Sequence, residues 1–242
     1  RSFTAVVAVA LLVLGVGFIY AERVQVYTES LAFQDQVIYS KSTAYQRIVL
    51  TKNQRELRLF LNGNLQFSSA DEYRYHEALV HPAMQALPRA RRVLVLGGGD
   101  GLAVRELLKY PQLQQIRLVD LDAGMTRLFQ HNEQLLRLNQ RSLLNPKVQV
   151  INGDAYRWVR ADTTRYDLLV VDFPDPSNYS IGKLYSAAFY QELDHLLAPG
   201  GLLVVQSTSP YVARQSFWCI RHTLDAAGFH TIPYHLYVPS FG

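Results

Sequence analysis

Hydrophobic and polar positions follow different patterns in successive parts of the chain. Residues 3–21 carry no charged side chain, and as a helix they would span roughly 28 Å, close to the thickness of a bilayer core. From about residue 22 to residue 68, apolar and polar positions alternate, which is typical of strands with one buried face. From residue 91 onward, continuous apolar runs alternate with helical segments, which indicates parallel strands covered on both faces.

These patterns divide the chain into predicted parts. The parts are a transmembrane helix at 1–21, a small antiparallel β domain at 22–70 and an α/β domain at 71–242. A signal peptide is the alternative for the first part, but its apolar region is usually shorter. Because the sequence begins with Arg1 rather than Met, we expect further membrane segments upstream.

Turn and cap signals refine this division. Asn62-Gly63 lies between alternating runs, where both residues suit the positive φ of a hairpin turn. Ser69 and Glu72 have the spacing of a capping box, which predicts a helix over EYRYHEALVHPAM. His76 and His81 in that helix are five positions apart, not the four that a zinc-protease helix requires. We therefore expect no metal site.

The α/β domain is predicted to alternate strands with helices. The predicted strands are RVLVLG, QIRLVDLD, VQVING, YDLLVVDF and GLLVVQST, with one long helix ending near Leu138 and a final strand region in FHTIPYHLYVPSFG.

The charge and cysteine content of the chain limit the partner molecules and the compartment that we expect. The chain has 242 residues and a net charge of +4, but its basic residues are scattered except for the cluster RARR at 89–92. We interpret that cluster as a solvated approach to a strand and expect no nucleic-acid partner. Cys219 is alone, which excludes an intrachain disulfide and is consistent with a reducing compartment.

Acidic residues follow successive predicted strands of the α/β domain. In an open parallel sheet, ligands bind at the carboxyl ends of the strands. Asp is also a good helix N-cap, and this alternative remains open for Asp154. Asp120 and Asp172 directly end apolar strands, which favours a binding role. The acids are Asp100, Asp120, Asp154 and Asp172.

The glycine turn LGGGDG, which includes Gly97 and Gly99, favours a nucleoside ligand without phosphates. Asp100 in this turn would repel a pyrophosphate, whereas Asp120, twenty residues on, suits the hydroxyl groups of a ribose. Asp100 would also repel the carboxylate of S-adenosylmethionine and attract a terminal amine. The turn therefore points to decarboxylated S-adenosylmethionine as a co-substrate.

The segment VVDFPDPSN places a second acid, Asp175, between Pro174 and Pro176. A rigid backbone around an acid is not needed for solubility. We interpret Asp172 and Asp175 as a clamp for a cationic diamine, and SNYSIGKLY as a loop that closes over it.

Together these segments resemble the polyamine aminopropyltransferases, and spermidine synthase in particular. The matching segments are AYQRIVL, LFLNGNLQFSSADEYRYHE, VLVLGGGDGLAVRELL, VDLD, GDA, VVDFPDP and VPSFG, in the family's order over about residues 45–242. The resemblance implies a Rossmann-like, methyltransferase-type parallel sheet beside the β domain. It also implies transfer of an aminopropyl group to putrescine, with release of methylthioadenosine.

Residue roles carried over from the family complete the expected site. Gln46, Asp100, Asp120, Asp154 and Asp172 would contact the donor, while Tyr75, His76, Asp172 and Asp175 would hold the acceptor amines. Asp172 occupies the position of the proton acceptor. The chain departs from the family at two positions. The family usually has Glu where this chain has Asp120, and it often has Tyr where this chain has Phe241.

Alternatives remain open at this point. One is an ordinary S-adenosylmethionine methyltransferase, another a dehydrogenase, and a third a membrane-anchored polyamine sensor without turnover. Cadaverine, agmatine or spermidine could replace putrescine as acceptor. We also expect a homodimer, anchored in the cell membrane with its catalytic domain in the cytoplasm.

Overall fold

The computed structural model describes residues 2–176 and 179–241. The chain divides into two compact units, residues 1–70 and residues 71–242.

The first unit contains a long helix and an antiparallel sheet. Its elements are α1 (Ser2–Ala32), β1 (Gln36–Ser42), β2 (Arg47–Lys52), β3 (Leu57–Leu61) and β4 (Asn64–Ser68). The strands pair in the order β1-β2-β3-β4. Asn62 and Gly63 both have positive φ, at 52° and 82°, so the predicted hairpin between β3 and β4 is confirmed.

The expectation of a β domain starting at residue 22 was wrong. Helix α1 continues to Ala32, and the first strand begins only at Gln36. Residues 22–32 contain no Gly or Pro, so nothing in this stretch interrupts a helix that the apolar residues before it have already started. Within α1, Phe3–Ala21 is exposed and has a mean hydropathy of 2.5. By length and composition this segment could cross a membrane, but a signal sequence near the N-terminus would have the same properties.

The second unit is an α/β fold, which confirms the predicted fold class. Its strands are β5 (Arg92–Gly97), β6 (Gln115–Asp120), β7 (Val148–Asn152), β8 (Tyr166–Asp172) and β9 (Leu197–Val205). Its α-helices are α2 (Glu72–Ala86), α3 (Leu102–Leu107), α4 (Ala123–His131), α5 (Glu133–Leu138), α6 (Ala155–Ala161), α7 (Tyr179–Gly182), α8 (Ala187–Leu196) and α9 (Arg214–Ala226).

All strand pairs in the second sheet are parallel, in the order β7-β6-β5-β8-β9. The apolar runs at 93–96 and 168–171 in the central strands are fully buried, as expected for parallel strands that are covered on both faces. The chain continues from β5 to β6 on one side, whereas β8 pairs with β5 on the other. The carboxyl ends of β5 and β8 therefore form the topological switch point at which such folds bind ligands.

Three local expectations for this unit were wrong. Ser69 does not cap α2; its hydroxyl accepts from the Leu57 N–H at 2.8 Å, and Asp71 is the N-cap residue. The predicted long helix is broken, because the Asn132 side chain accepts from the first N–H groups of α5 and starts a new helix. In the described part of the tail, 229–238 forms no strand, and a short 3₁₀ turn follows at Pro239–Phe241.

Candidate active site

The glycine turn after β5 lies against the acids that end the neighbouring strands. Gly98 has a φ of 64°, and a Cβ there would lie 2.8 Å from Asp172 Oδ2. A Cβ on Gly99 would lie 2.7 Å from the carboxylate of Asp120. Larger residues would fill the space between the turn and these carboxylates, so the glycines place backbone and acids in direct contact.

Asp120 is held by two backbone groups. Its Oδ2 accepts from the Gly99 N–H at 3.0 Å, and its Oδ1 accepts from the Asp122 N–H at 2.8 Å. Burial raises the pKa of Asp120 to about 6, although both hydrogen bonds oppose this. The carboxylate is therefore fixed in orientation at the end of β6, while its contact with a ribose stays a prediction.

Asp100 lies in the same turn and is also held on one side. Its Oδ1 accepts from the Leu102 N–H at 2.8 Å, at the start of α3. Burial raises the pKa of Asp100 to about 6, with Asp172 adding to the effect and His76 opposing it. Asp100 therefore lies within electrostatic reach of both Asp172 and His76.

Asp172 is paired with Tyr75 from α2. The Tyr75 hydroxyl donates a short hydrogen bond to Asp172 Oδ1. Burial raises the pKa of Asp172 above its ordinary value, whereas His76 and the bond from Tyr75 lower it. Burial and the Asp172 charge also raise the pKa of Tyr75 well above its ordinary value. Tyr75 therefore remains a hydrogen-bond donor to a carboxylate that is a stronger base than usual.

His76 follows Tyr75 on α2 and is buried. Its ring meets the Tyr75 ring edge to face, with centroids 4.9 Å apart. Its Nδ1 lies 2.8 Å from both the carbonyl oxygen and the Oε2 atom of Glu72. Burial opposes the charged form, but Glu72, Asp100 and Asp172 together raise the pKa of His76 above its ordinary value. Sequence reasoning missed Glu72 as a site residue, although the spacing of four positions on a helix could have revealed it.

Asp175 lies in the segment after β8 and accepts a hydrogen bond from Gln206, which sequence reasoning did not select. Its Oδ1 accepts from Gln206 Nε2 at 3.1 Å. The buried Tyr185 hydroxyl lies within 3.2 Å of Gln206 Oε1 and of the carbonyl oxygens of Phe173 and Pro174. Gln206 follows β9, so its proximity depends on the β8–β9 pairing and carries no local sequence signal.

Asp154 has the structural role that the sequence left open. It caps α6, where its Oδ1 accepts from the N–H groups of Tyr156 at 2.8 Å and Arg157 at 3.3 Å. Its Oδ2 lies 2.9 Å from Lys183 Nζ. Although partial burial opposes it, these bonds hold the pKa of Asp154 below its ordinary value. Contact between Asp154 and the donor stays a prediction.

Two further predicted site residues lie in other elements of the chain. Gln46 lies just before β2 in the first unit, and its backbone groups bond with Thr43. Phe241 lies in the 3₁₀ turn of the tail and is 50% exposed. Of the proposed closing loop, residues 177 and 178 lie outside the described residues, and the rest begins with α7.

A second group of polar side chains lies farther along α2. Within the described ranges, Glu77, His81 and Glu106 offer ligand atoms within 4.8 Å of one another. Lys109 Nζ lies 2.5 Å from Glu106 and 3.9 Å from Glu77. The lysine already supplies positive charge to these carboxylates, so we assign no metal to them.

This geometry can be compared with known proteins. Residues 72–242 match the family model described as the spermine/spermidine synthase domain. The chain belongs to this family. The predicted resemblance to aminopropyltransferases is thereby confirmed.

Curated relatives of the spermine/spermidine synthase family carry the name polyamine aminopropyltransferase. Polyamine aminopropyltransferase 2 of Ralstonia nicotianae is 54% identical over 226 residues, which cover 93% of this chain and 44% of the relative. Polyamine aminopropyltransferase of Leptospira interrogans is 52% identical over 238 residues, which cover 98% of this chain and 47% of the relative. The chain thus spans about half the length of the curated relatives it matches.

Solved structures of spermidine synthase have a similar fold. A spermidine synthase in complex with the transition-state analogue AdoDATO has a TM-score of 0.74 and 26% identity, covering 79% of this chain and 64% of that one. The enzyme from Thermotoga maritima has a TM-score of 0.72 and 25% identity, with the same coverage.

Proposed function

We propose that this chain is the catalytic part of a spermidine synthase. It would move the aminopropyl group of decarboxylated S-adenosylmethionine to putrescine, giving spermidine and methylthioadenosine. The observation that carries the proposal is the hydrogen-bonded Tyr75–Asp172 pair at the switch point of the sheet, with Asp100 within its electrostatic reach. Membership of the spermine/spermidine synthase family supports it.

The acids of the turn favour a donor with an amine terminus. Asp100 adds a carboxylate within electrostatic reach of Asp172, so a ligand carboxylate would meet like charges in a partly buried site, whereas an ammonium would be attracted. Asp120 would receive the ribose hydroxyls at the end of β6. The donor is therefore decarboxylated S-adenosylmethionine, used as a co-substrate.

The reaction needs an aligned, neutral amine. The amine nitrogen attacks the methylene carbon next to the sulfonium, the carbon–sulfur bond breaks, and its electron pair neutralises the sulfur. A free alkylamine is protonated at neutral pH, with a pKa near 10.4 like that of Lys. Asp172 would take the proton, because its raised pKa makes it a better base than an exposed acid. Tyr75, His76 and Asp175 would orient the diamine, and such positioning supplies roughly 7–11 kcal/mol of a barrier.

The first unit would anchor the enzyme. The exposed apolar segment Phe3–Ala21 would place it in the cell membrane, with the catalytic unit in the cytoplasm, where its substrates are made. Fractionation of cells expressing the chain tests this: the protein should stay in the pellet after an alkaline wash. Release into the supernatant would contradict anchoring. A homodimer remains a prediction.

A turnover assay tests the activity. The full chain in detergent is mixed with decarboxylated S-adenosylmethionine and equal amounts of putrescine, cadaverine, agmatine and spermidine, and products are measured by mass spectrometry. We expect methylthioadenosine together with spermidine, and no product from S-adenosylmethionine itself. Asp172→Asn should abolish product while donor binding persists. Donor binding without turnover by the wild type would instead favour a sensor.

The tail residue Phe241 provides a second variant for the same assay. The family often has a Tyr at the position aligned with Phe241, so Phe241→Tyr restores a hydroxyl. If this position faces the acceptor, the variant should change the ratio of elongated amines without changing donor KM. An unchanged ratio would remove Phe241 from the acceptor site.

A further inference from the structure

Oppositely charged side chains of α2 and α3 form a buried network, which includes the Glu72 carboxylate that contacts His76. The guanidinium of Arg105 forms two bonds with the carboxylate of Glu72, at 2.7 and 3.0 Å. Its Nε bonds Glu106 Oε1 at 2.8 Å, and Glu106 in turn contacts Lys109. The side chains of Glu72, Arg105 and Glu106 are 4, 7 and 1% exposed. Paired charges of this kind are buried only when each is satisfied.

This network determines the ionisation state of the Glu72 carboxylate. Although burial opposes ionisation, the bonds from His76 and Arg105 hold the pKa of Glu72 below its ordinary value. An ionised carboxylate can only accept hydrogen bonds. Glu72 therefore presents an acceptor, never a donor, to His76.

The surroundings of the His76 ring determine which nitrogen carries the proton. Both groups within 2.8 Å of Nδ1 are acceptors, namely the Glu72 carbonyl oxygen and Oε2. Nδ1 must therefore carry hydrogen, which leaves the lone pair of the neutral ring on Nε2. His76 Nε2 forms no hydrogen bond with any residue that the structure describes. The ring also lies within electrostatic reach of Asp100 and Asp172.

We propose that Glu72 is a positioning residue, which fixes His76 as the Nδ1–H tautomer so that Nε2 accepts a hydrogen bond from the acceptor amine. Arg105 keeps Glu72 ionised and correctly oriented. This inference rests on the proposed function for the identity of the amine. The tautomer itself follows from the contacts around Nδ1 and can be tested without turnover.

The first measurement uses the wild-type chain labelled with ¹⁵N-histidine. Spectra are recorded at about pH 9, and the His76 signals are identified by their loss in His76→Gln. We expect a protonated Nδ1 and an unprotonated Nε2, whose resonance shifts when putrescine is added with methylthioadenosine. An Nε2–H ring would overturn the tautomer, and an Nε2 resonance unmoved by putrescine would overturn the amine contact. A wild type with the expected shifts but no turnover would contradict the proposed function alone.

The second measurement compares matched variants. In Glu72→Gln, an amide NH₂ replaces a carboxylate oxygen, so the backbone carbonyl oxygen of residue 72 becomes the main acceptor left at Nδ1. The preference for the Nδ1–H tautomer should weaken, and the fraction of the ring that points an Nε2–H donor at the amine should rise. We expect the dissociation constant of putrescine to rise at least about tenfold, the effect of one lost hydrogen bond to a charged group. Donor binding should change less than about twofold.

Two control variants distinguish an effect of Glu72 on the His76 ring from a general loss of folding stability. Glu77→Gln changes a side chain on the same helix that is 45% exposed and should change neither binding nor tautomer. Glu106→Gln disturbs the same buried network without touching His76, so it should lower stability while the His76 tautomer persists. Equal putrescine affinity in Glu72→Gln and wild type would overturn the proposal. The proposal would also be overturned if Glu106→Gln lost as much putrescine affinity as Glu72→Gln while its His76 tautomer stayed unchanged.

Discussion

Gly97 and Asp172 lie side by side in register across the parallel strands β5 and β8. Gly97 has a φ of 83°, and a Cβ there would lie 2.2 Å from the carbonyl oxygen of Asp172. No side-chain rotation can relieve a clash with a backbone atom. The backbone that carries the proposed base is therefore positioned by the missing side chain of its neighbour.

Gly97→Ala should destabilise the catalytic unit because it combines this clash with an unfavourable φ. Gly200 is the matched control, since its φ is 76° but nothing lies within 4 Å of its Cβ position. We expect Gly200→Ala to lower the free energy of unfolding by about 1–2 kcal/mol, and Gly97→Ala by about 1–3 kcal/mol more. Urea unfolding followed by tryptophan fluorescence measures both. Equal losses of unfolding free energy in the two variants would show that the ends of β5 and β8 move apart easily to accommodate the added methyl group.

Tyr75→Phe should move the acid limb of the pH–rate profile. The bond from the Tyr75 hydroxyl lowers the pKa of Asp172, so its removal should raise that pKa further. Asp172 must be ionised to accept a proton, so kcat/KM should fall more at pH 6 than at pH 9. Tyr73→Phe, on an exposed neighbour in α2, should leave the profile unchanged. A limb that stays in place would argue against Asp172 as the base.

Asp100→Asn and Asp120→Asn should stabilise the folded chain at neutral and alkaline pH. Burial raises both pKa values from 3.8 to about 6, so between about pH 4 and pH 6 the folded state binds more protons than the unfolded state. The free energy of unfolding therefore falls as pH rises through this window. Asp100→Asn should be more stable than the wild type by on the order of 1–3 kcal/mol at pH 8, with no difference below about pH 4. Asp120→Asn should gain less, because its NH₂ would face the N–H of Gly99 or Asp122, which now donates to the carboxylate.

Denaturation curves at several pH values measure this effect, with the exposed Asp194 on α8 as the control. Asp194→Asn should show no such dependence on pH. If the Asp100 and Asp120 variants are no more stable than the wild type at pH 8, the two acids are better solvated than the structure indicates.

Tyr185→Phe should weaken binding of the diamine but not of the donor. It removes the hydroxyl that lies between Gln206 and the carbonyl oxygens before Asp175, so Asp175 should lose its fixed orientation. We expect a rise of about three- to tenfold in the diamine KM, matching the loss of about one hydrogen bond. Tyr211→Phe, which changes a tyrosine that is 85% exposed, is the control. A similar rise in both KM values would indicate general loosening instead.

The parts of the site that sequence could predict are those set by local pattern. Apolar runs ending in Asp120 and Asp172 predicted both the strands and the edge at which the acids lie, because parallel strands end on the same side. The Glu72–Arg105 contact joins residues 33 positions apart, and the Gln206–Asp175 contact joins residues 31 positions apart. Such contacts depend on helix packing and strand order, which no local pattern contains.

Errors at element ends had a similar origin. The alternation after residue 22 predicted strands, but a helix already formed by the preceding residues continues at little cost in free energy. Ser69 matched a capping box in spacing, yet its hydroxyl serves the Leu57 N–H of a neighbouring strand instead. In both cases a contact or element formed elsewhere determined the outcome.

The tail also closes back on the helix that carries Tyr75 and His76. The Ser240 N–H donates to Asp71 Oδ2 at 2.7 Å, across 169 positions of sequence, and Asp71 is the N-cap residue of α2. During synthesis, α2 leaves the ribosome long before Ser240 does. Its N-terminus gains this bond only after residues 72–239 have been made, so this tie to the helix that carries Tyr75 and His76 is a late event in the life of the nascent chain.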